Sequence, residues 1–129
     1  MPQYLLLIYN PAEDRITPEQ MREIGPRFDV YTQSLKDAGV WVGGDALEAP
    51  ETATTVRERD GETQFTDGPF AETKEYLAGY YMVDCPDLDT ALGHAARMPN
   101  LAYGSVEVRP VWDYTRRMAS REQVAQSGA

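Results

Sequence analysis

The sequence predicts an α+β fold: an antiparallel sheet with two helices packed on one of its faces, the other face closed by a second copy of the chain. Three observations carry this. Strand-like and helix-like stretches follow one another as strand, helix, strands, helix, strand, and each helix bears one apolar stripe, so each covers one surface only. The strands that contain Tyr4, Tyr76 and Val106 are read as apolar on both sides, the pattern of a sheet covered twice. No third helix is written into the chain to supply that second cover, and an exposed sheet face of this kind is an association surface. A homodimer with its two sheets face to face follows.

The first strand is residues 4–9, with Tyr4, Leu6 and Ile8 on one side and Leu5, Leu7 and Tyr9 on the other. Residues 10–16 are polar and turn-forming. Thr17-Pro18-Glu19-Gln20 then offers an N-cap, a proline at the first helical position and a glutamine placed for a capping box. Met21, Ile24, Phe28, Tyr31, Leu35 and Ala38 draw the apolar stripe of that helix, and Gly39 ends it. Gly25-Pro26 falls inside the stripe without changing its phase, which predicts a kink or local break near Arg22.

Residues 40–44 are a second strand whose paired Gly43 and Gly44 mark a bulge or a close approach to the backbone. After a connection over 45–52, residues 54–59 and 62–66 flank Asp60-Gly61, the signal for a hairpin with a two-residue primed turn. The strand over 76–83 places Tyr76, Ala78, Tyr80 and Met82 on one side and Leu77, Gly79, Tyr81 and Val83 on the other. Asp87 is the expected N-cap of a second helix striped by Leu88, Ala91, Leu92, Ala95 and Met98, stopped by Pro99-Asn100. Residues 105–112 form the last strand, with Glu107 and Arg109 together on one face. One domain over 1–112 is expected, followed by a tail over 113–129 that forms a short helix at best.

Composition narrows the function. In 129 residues there are 12 Lys and Arg against 21 Asp and Glu, a net charge of −9, which repels nucleic-acid phosphates and anionic lipid. One cysteine, Cys85, and one histidine, His94, cannot furnish a zinc site of the usual ligands or an internal disulfide. No metal and no cofactor are expected. The apolar run at the amino terminus is too short to span a bilayer and lacks a basic leader, so a cytoplasmic location without membrane contact is expected.

The stretch that organises the rest is Thr66-Asp67-Gly68-Pro69-Phe70-Ala71-Glu72-Thr73-Lys74-Glu75, a stiff, charged loop that leads into a strand. Together with Tyr4-Leu5-Leu6-Leu7-Ile8-Tyr9, Val42-Gly43-Gly44, Thr52-Ala53-Thr54-Thr55-Val56-Arg57, Gly79-Tyr80-Tyr81 and Ser105-Val106-Glu107-Val108-Arg109-Pro110, it resembles the YCII-related family in its DGPF-domain branch. The resemblance implies a ferredoxin-like fold paired as a dimeric α/β barrel and, because some members are encoded beside extracytoplasmic-function sigma factors, it suggests such a factor as a partner. The His and Asp pair proposed for shorter relatives does not carry over, because the first helix here holds Phe28 and Asp29 but no histidine.

The residues themselves suggest a small pocket under the Asp67 loop, bounded by Tyr80, Glu107 and Arg109, for a small anionic or phenolic molecule. Asp67 is the candidate general base if its surroundings are dry, and otherwise a cap of its own turn. Glu107 and Arg109 are expected either as a buried ion pair that holds the sheet to the Asp67 loop or as a site for an anion, to which Arg109 offers a planar fork. Lys74 is placed to meet Asp67, Glu72 or a ligand. If catalytic, the class of reaction is cofactor-free proton transfer or elimination, with Arg109 or Lys74 steadying developing negative charge. The alternative is a non-catalytic ligand sensor or interaction module. His94 is expected at the boundary of the second helix, and Cys85 in packing.

Overall fold

The computed structural model describes residues 1–114. Its elements run β1 (Gln3–Pro11), α1 (Pro18–Asp37), β2 (Trp41–Ala46), β3 (Thr54–Arg59), β4 (Glu62–Asp67), β5 (Glu75–Asp84), α2 (Leu88–Ala95) and β6 (Ser105–Pro110). Strands β2, β5, β1 and β6 lie side by side in that order in one antiparallel sheet, and among the described residues β3 and β4 pair only with each other. With that ribbon set aside, β1-α1-β2-β5-α2-β6 is compatible with a ferredoxin-like arrangement. The tail expected over 113–129 lies, from residue 115 onward, outside the described residues.

Local chemistry accounts for the helix limits. At the start of α1 the Thr17 hydroxyl accepts from the Gln20 amide at 3.2 Å while the Gln20 side chain accepts from the Thr17 amide at 2.9 Å, which satisfies two donors that the helix cannot. The helix runs unbroken through Pro26, so the expected local break is absent. Pro26 and Arg22 both face water, where the carbonyl that loses its donor can be hydrated. Asp87 caps α2, accepting from the Thr90 amide at 2.8 Å and its hydroxyl at 2.7 Å. Only the small members of the expected α2 stripe, Ala91 and Ala95, are buried, with Met98 just beyond; Leu88 and Leu92 remain exposed because α2 is short and rests on the sheet through its alanines. In α1, Met21 and Ala38 are likewise exposed.

The core lies between the helices and one face of the sheet. Leu6, Leu35, Val83 and Cys85 are wholly buried there, with Tyr31, Tyr81, Ile8 and Met98 around them. Burying two tyrosines requires partners for their hydroxyls. Tyr31 donates to the His94 carbonyl at 2.7 Å, and Tyr81 shares a 2.7 Å hydrogen bond with Thr32. Trp41 meets the Tyr81 ring edge-on at 5.0 Å. Both readings of the paired glycines hold: a bulge separates Trp41 from Gly43, and a β-carbon on Gly44 would stand 2.5 Å from the Tyr80 carbonyl oxygen.

Among the described residues no helix covers the opposite face of the sheet. Its side chains fall in rows set by the register: Arg109, Leu5 and Met82; then Glu107, Leu7 and Tyr80; then Ser105, Tyr9 and Leu77. The β6 strand is therefore charged on this side rather than apolar. A bulge at Ala78 resets the alternation of β5, so that Leu77, not Tyr76, follows Tyr80 on the open face. The ribbon turns at Asp60 and Gly61, both with positive φ, as a primed two-residue turn demands. Every residue of β4 is exposed, and the cross-strand pair Val56 and Phe65 shows its apolar surface to solvent.

Candidate functional site

The loop after β4 roofs a cleft of about 880 Å³. Its turn is fixed by the backbone: the Gly68 amide donates to the Ala53 carbonyl at 2.7 Å, the Thr55 hydroxyl donates to the Gly68 carbonyl at 2.8 Å, and Gly68 takes a φ of 96°. The Arg57 guanidinium lies 4.8 Å from the centre of the Phe70 ring, holding the roof to the ribbon. Tyr9, Tyr76 and Leu77 form one wall and Leu47, Ala49 and Pro50 another. The two walls are tied where the Leu47 amide donates to the carbonyl of the bulged Ala78 at 2.8 Å.

Charge in the cleft is mostly negative. Glu48, Glu51, Glu72 and Glu75 line it against a single Arg15. Arg15 is already engaged: it forms a bidentate ion pair with Glu51, one bond at 2.9 Å, and stacks 5.3 Å from the centre of the Tyr76 ring. The pair raises the Arg15 pKa and lowers that of Glu51, chiefly through their hydrogen bonds. Glu75 accepts from the Ser105 hydroxyl at 2.7 Å. An entering anion would thus meet carboxylates and a spent guanidinium. A neutral or phenolic molecule would meet aromatic and aliphatic walls.

The residues singled out from the sequence occupy two places. Glu107 and Arg109 do pair, with Arg109 Nη2 donating to both carboxylate oxygens at 2.7 and 3.0 Å, but on the exposed face of β6 and not as a buried link to the Asp67 loop. Tyr80 shares their face, in the same row as Glu107 with Leu7 between. Neither Tyr80, Glu107 nor Arg109 lines the cleft. Asp67 ends β4 opposite Thr54, is exposed, and makes no side-chain hydrogen bond or ion pair among the described residues. Lys74 is exposed and meets neither Asp67 nor Glu72; its carbonyl instead accepts from the Ala12 amide at 2.8 Å. The one pocket expected beneath Asp67 is thus divided between a cleft under the loop and a strip of the open sheet face.

Sequence reading missed Arg15, Glu51, Tyr9 and Tyr76 as cleft residues. Arg15 and Glu51 stand 36 positions apart in polar connections, and nothing local signals their meeting. His94 is half-buried at the flank of α2, as expected, and Cys85 is fully buried. Among the described residues no group of three or more His, Cys, Asp or Glu could hold a metal ion, and no helix is long and apolar enough to cross a membrane.

The match to known families is decided by extent: the model of the YCII-related domain fits residues 2–115. The chain belongs to the YCII-related family. A relative in Rhizobium meliloti (strain 1021), named as an uncharacterized protein, is 39% identical over 115 residues, a match that covers 84% of this chain and 90% of the relative. The cleft and the open face both lie within the family domain.

Proposed function

We propose that this YCII-related protein acts as a homodimer, its open sheet faces packed together, and that the cleft under the 68–73 loop binds a small phenolic molecule. The observation that supports the reading is continuity. Tyr9 and Leu77, which wall the cleft, are also the third row of the open face, one step along the strands from the row of Glu107, Leu7 and Tyr80. That step is about 7 Å. Pairing the sheets encloses Leu5, Leu7, Tyr80 and Met82, and makes the end of the cleft an interior wall. Tyr80 and the Glu107–Arg109 pair then border the same chamber as the cleft.

Four carboxylates against one paired arginine favour a phenol over an anion. Asp67 stands outside the walls and in water, so it is not placed to take a proton from a bound molecule; binding, rather than turnover with Asp67 as base, is the function favoured. The test is light scattering coupled to size exclusion, followed by amide chemical-shift mapping with 4-methylphenol. A dimer is expected, with shifts concentrated at residues 68–73 and 76–77, lost in Ala71→Trp, and with much weaker binding of 4-methylbenzoate. A protomer that stays single at tens of micromolar, or shifts that avoid the cleft, would sink the reading.

A further inference from the structure

On the outer side of the helix layer, away from the open sheet face, α1 and the turn after α2 enclose a shallow groove of about 480 Å³. Its floor is apolar, made by Pro26, Val30, the ring of Tyr31 and Pro99, and Val30 is 72% exposed although it lies in mid-helix. Its charged groups are all of one sign, Arg27 and Arg97. Among the described residues neither guanidinium has a carboxylate within ion-pairing distance, and no Asp or Glu lines the groove. In a chain with 21 acids to 12 bases, a groove lined by two arginines and no acid runs against the overall charge.

Arg97 is held in place by neutral partners. Its Nη1 donates to the Ser34 hydroxyl oxygen at 3.3 Å, its Nη2 donates to His94 Nδ1 at 3.0 Å, and its guanidinium lies 5.4 Å from the centre of the Tyr31 ring. Ser34 has its own proton committed to the Tyr31 carbonyl at 2.6 Å, so it orients Arg97 and does not itself donate to a ligand. Two of the five guanidinium donors are used, leaving three to meet an oxyanion.

We propose that this groove binds a small amphiphilic anion, a phosphate or carboxylate on an apolar body, with Arg27 and Arg97 holding the oxyanion and Val30, Pro26 and Pro99 beneath the body. It is independent of the cleft, since it lies on the other layer and takes an anion, which the cleft disfavours. His94 is the chain's one histidine, so its ring protons report on Arg97 without overlap. The experiment is proton NMR of full-length protein titrated with phenyl phosphate, benzoate, inorganic phosphate and benzyl alcohol. Phenyl phosphate is expected to shift the His94 signals saturably and to raise the His94 titration midpoint, because the bound anion offsets the Arg97 charge. Benzoate in its place identifies a carboxylate as the preferred oxyanion. Arg27→Gln, at an exposed position without a partner, should weaken binding at least about tenfold, and Arg97→Gln more, as loss of a charged hydrogen bond would. Inorganic phosphate should bind at least about tenfold more weakly, for want of the apolar floor. The proposal is overturned by benzyl alcohol shifting His94 equally, by unchanged affinity in Arg27→Gln, by inorganic phosphate binding as tightly as phenyl phosphate, or by no saturable shift with either aryl anion up to roughly 10 mM.

Discussion

A guanidinium can only donate, so the Arg97 contact fixes the His94 imidazole with its proton on Nε2 and its Nδ1 as acceptor. Burial first, and the Arg97 charge second, lower the His94 pKa below the ordinary value. The unfolded chain therefore holds more protons than the native one between that lowered value and about 6.5, so stability rises with pH across this window and is lost as pH falls through it. Urea midpoints measured from pH 5 to 8 should show this rise, and His94→Gln should flatten it. Tyr31, pushed up to about 12 mainly by burial, stays a donor to the His94 carbonyl throughout. Cys85 is wholly buried, its pKa raised by burial and then by Asp84 and Asp87. It should resist alkylation by iodoacetamide in the native protein and react once the chain is unfolded in urea. Gly44→Ala would force a β-carbon 2.6 Å from the Tyr81 ring carbon Cδ1 as well as against the Tyr80 carbonyl, and denaturation should register a loss of about 1–3 kcal/mol.

Elements with local chemistry were legible in the sequence, and elements defined by distant partners were not. The capping box at Thr17, the Asp87 cap and the Asp60-Gly61 turn each depend on residues within four positions, and each stands where the sequence placed it. Thr17→Ala should cost roughly 1 kcal/mol in urea denaturation, with little change in the slope. The bulge at Ala78 belongs to the pairing of β5 with β1 and left no mark in the run 76–83, which is why Tyr76 was set on the wrong side of the strand. The α2 stripe misled for a related reason: period places Leu88 and Leu92 beside Ala91 and Ala95, but the length and tilt of the helix decide which of them reach the sheet. The same limit hid the cleft, whose walls come from three separate stretches of the chain. Asp67, Tyr80, Glu107, Arg109 and Lys74 were conspicuous by type, while the residues that enclose space, Tyr9, Leu47 and Tyr76, look like ordinary strand and connection residues.

For the molecule as a whole, one sheet face is covered by helices and the other by nothing among the described residues. Leu7 lies at the middle of that bare face, between Tyr80 and Glu107. Leu7→Lys leaves the core untouched, since its neighbours Leu6 and Ile8 point the other way, and should convert the proposed dimer into a folded protomer half the mass by light scattering. The two-stranded ribbon has a separate consequence. A pair of strands without a third is held closed only marginally, and beside its turn it presents the exposed Arg59. In isolated protomers this arm should therefore be nicked by trypsin well before the main sheet yields, whereas a neighbour lying along Val56 and Phe65 would slow the cut, making the rate of that single scission a gauge of assembly.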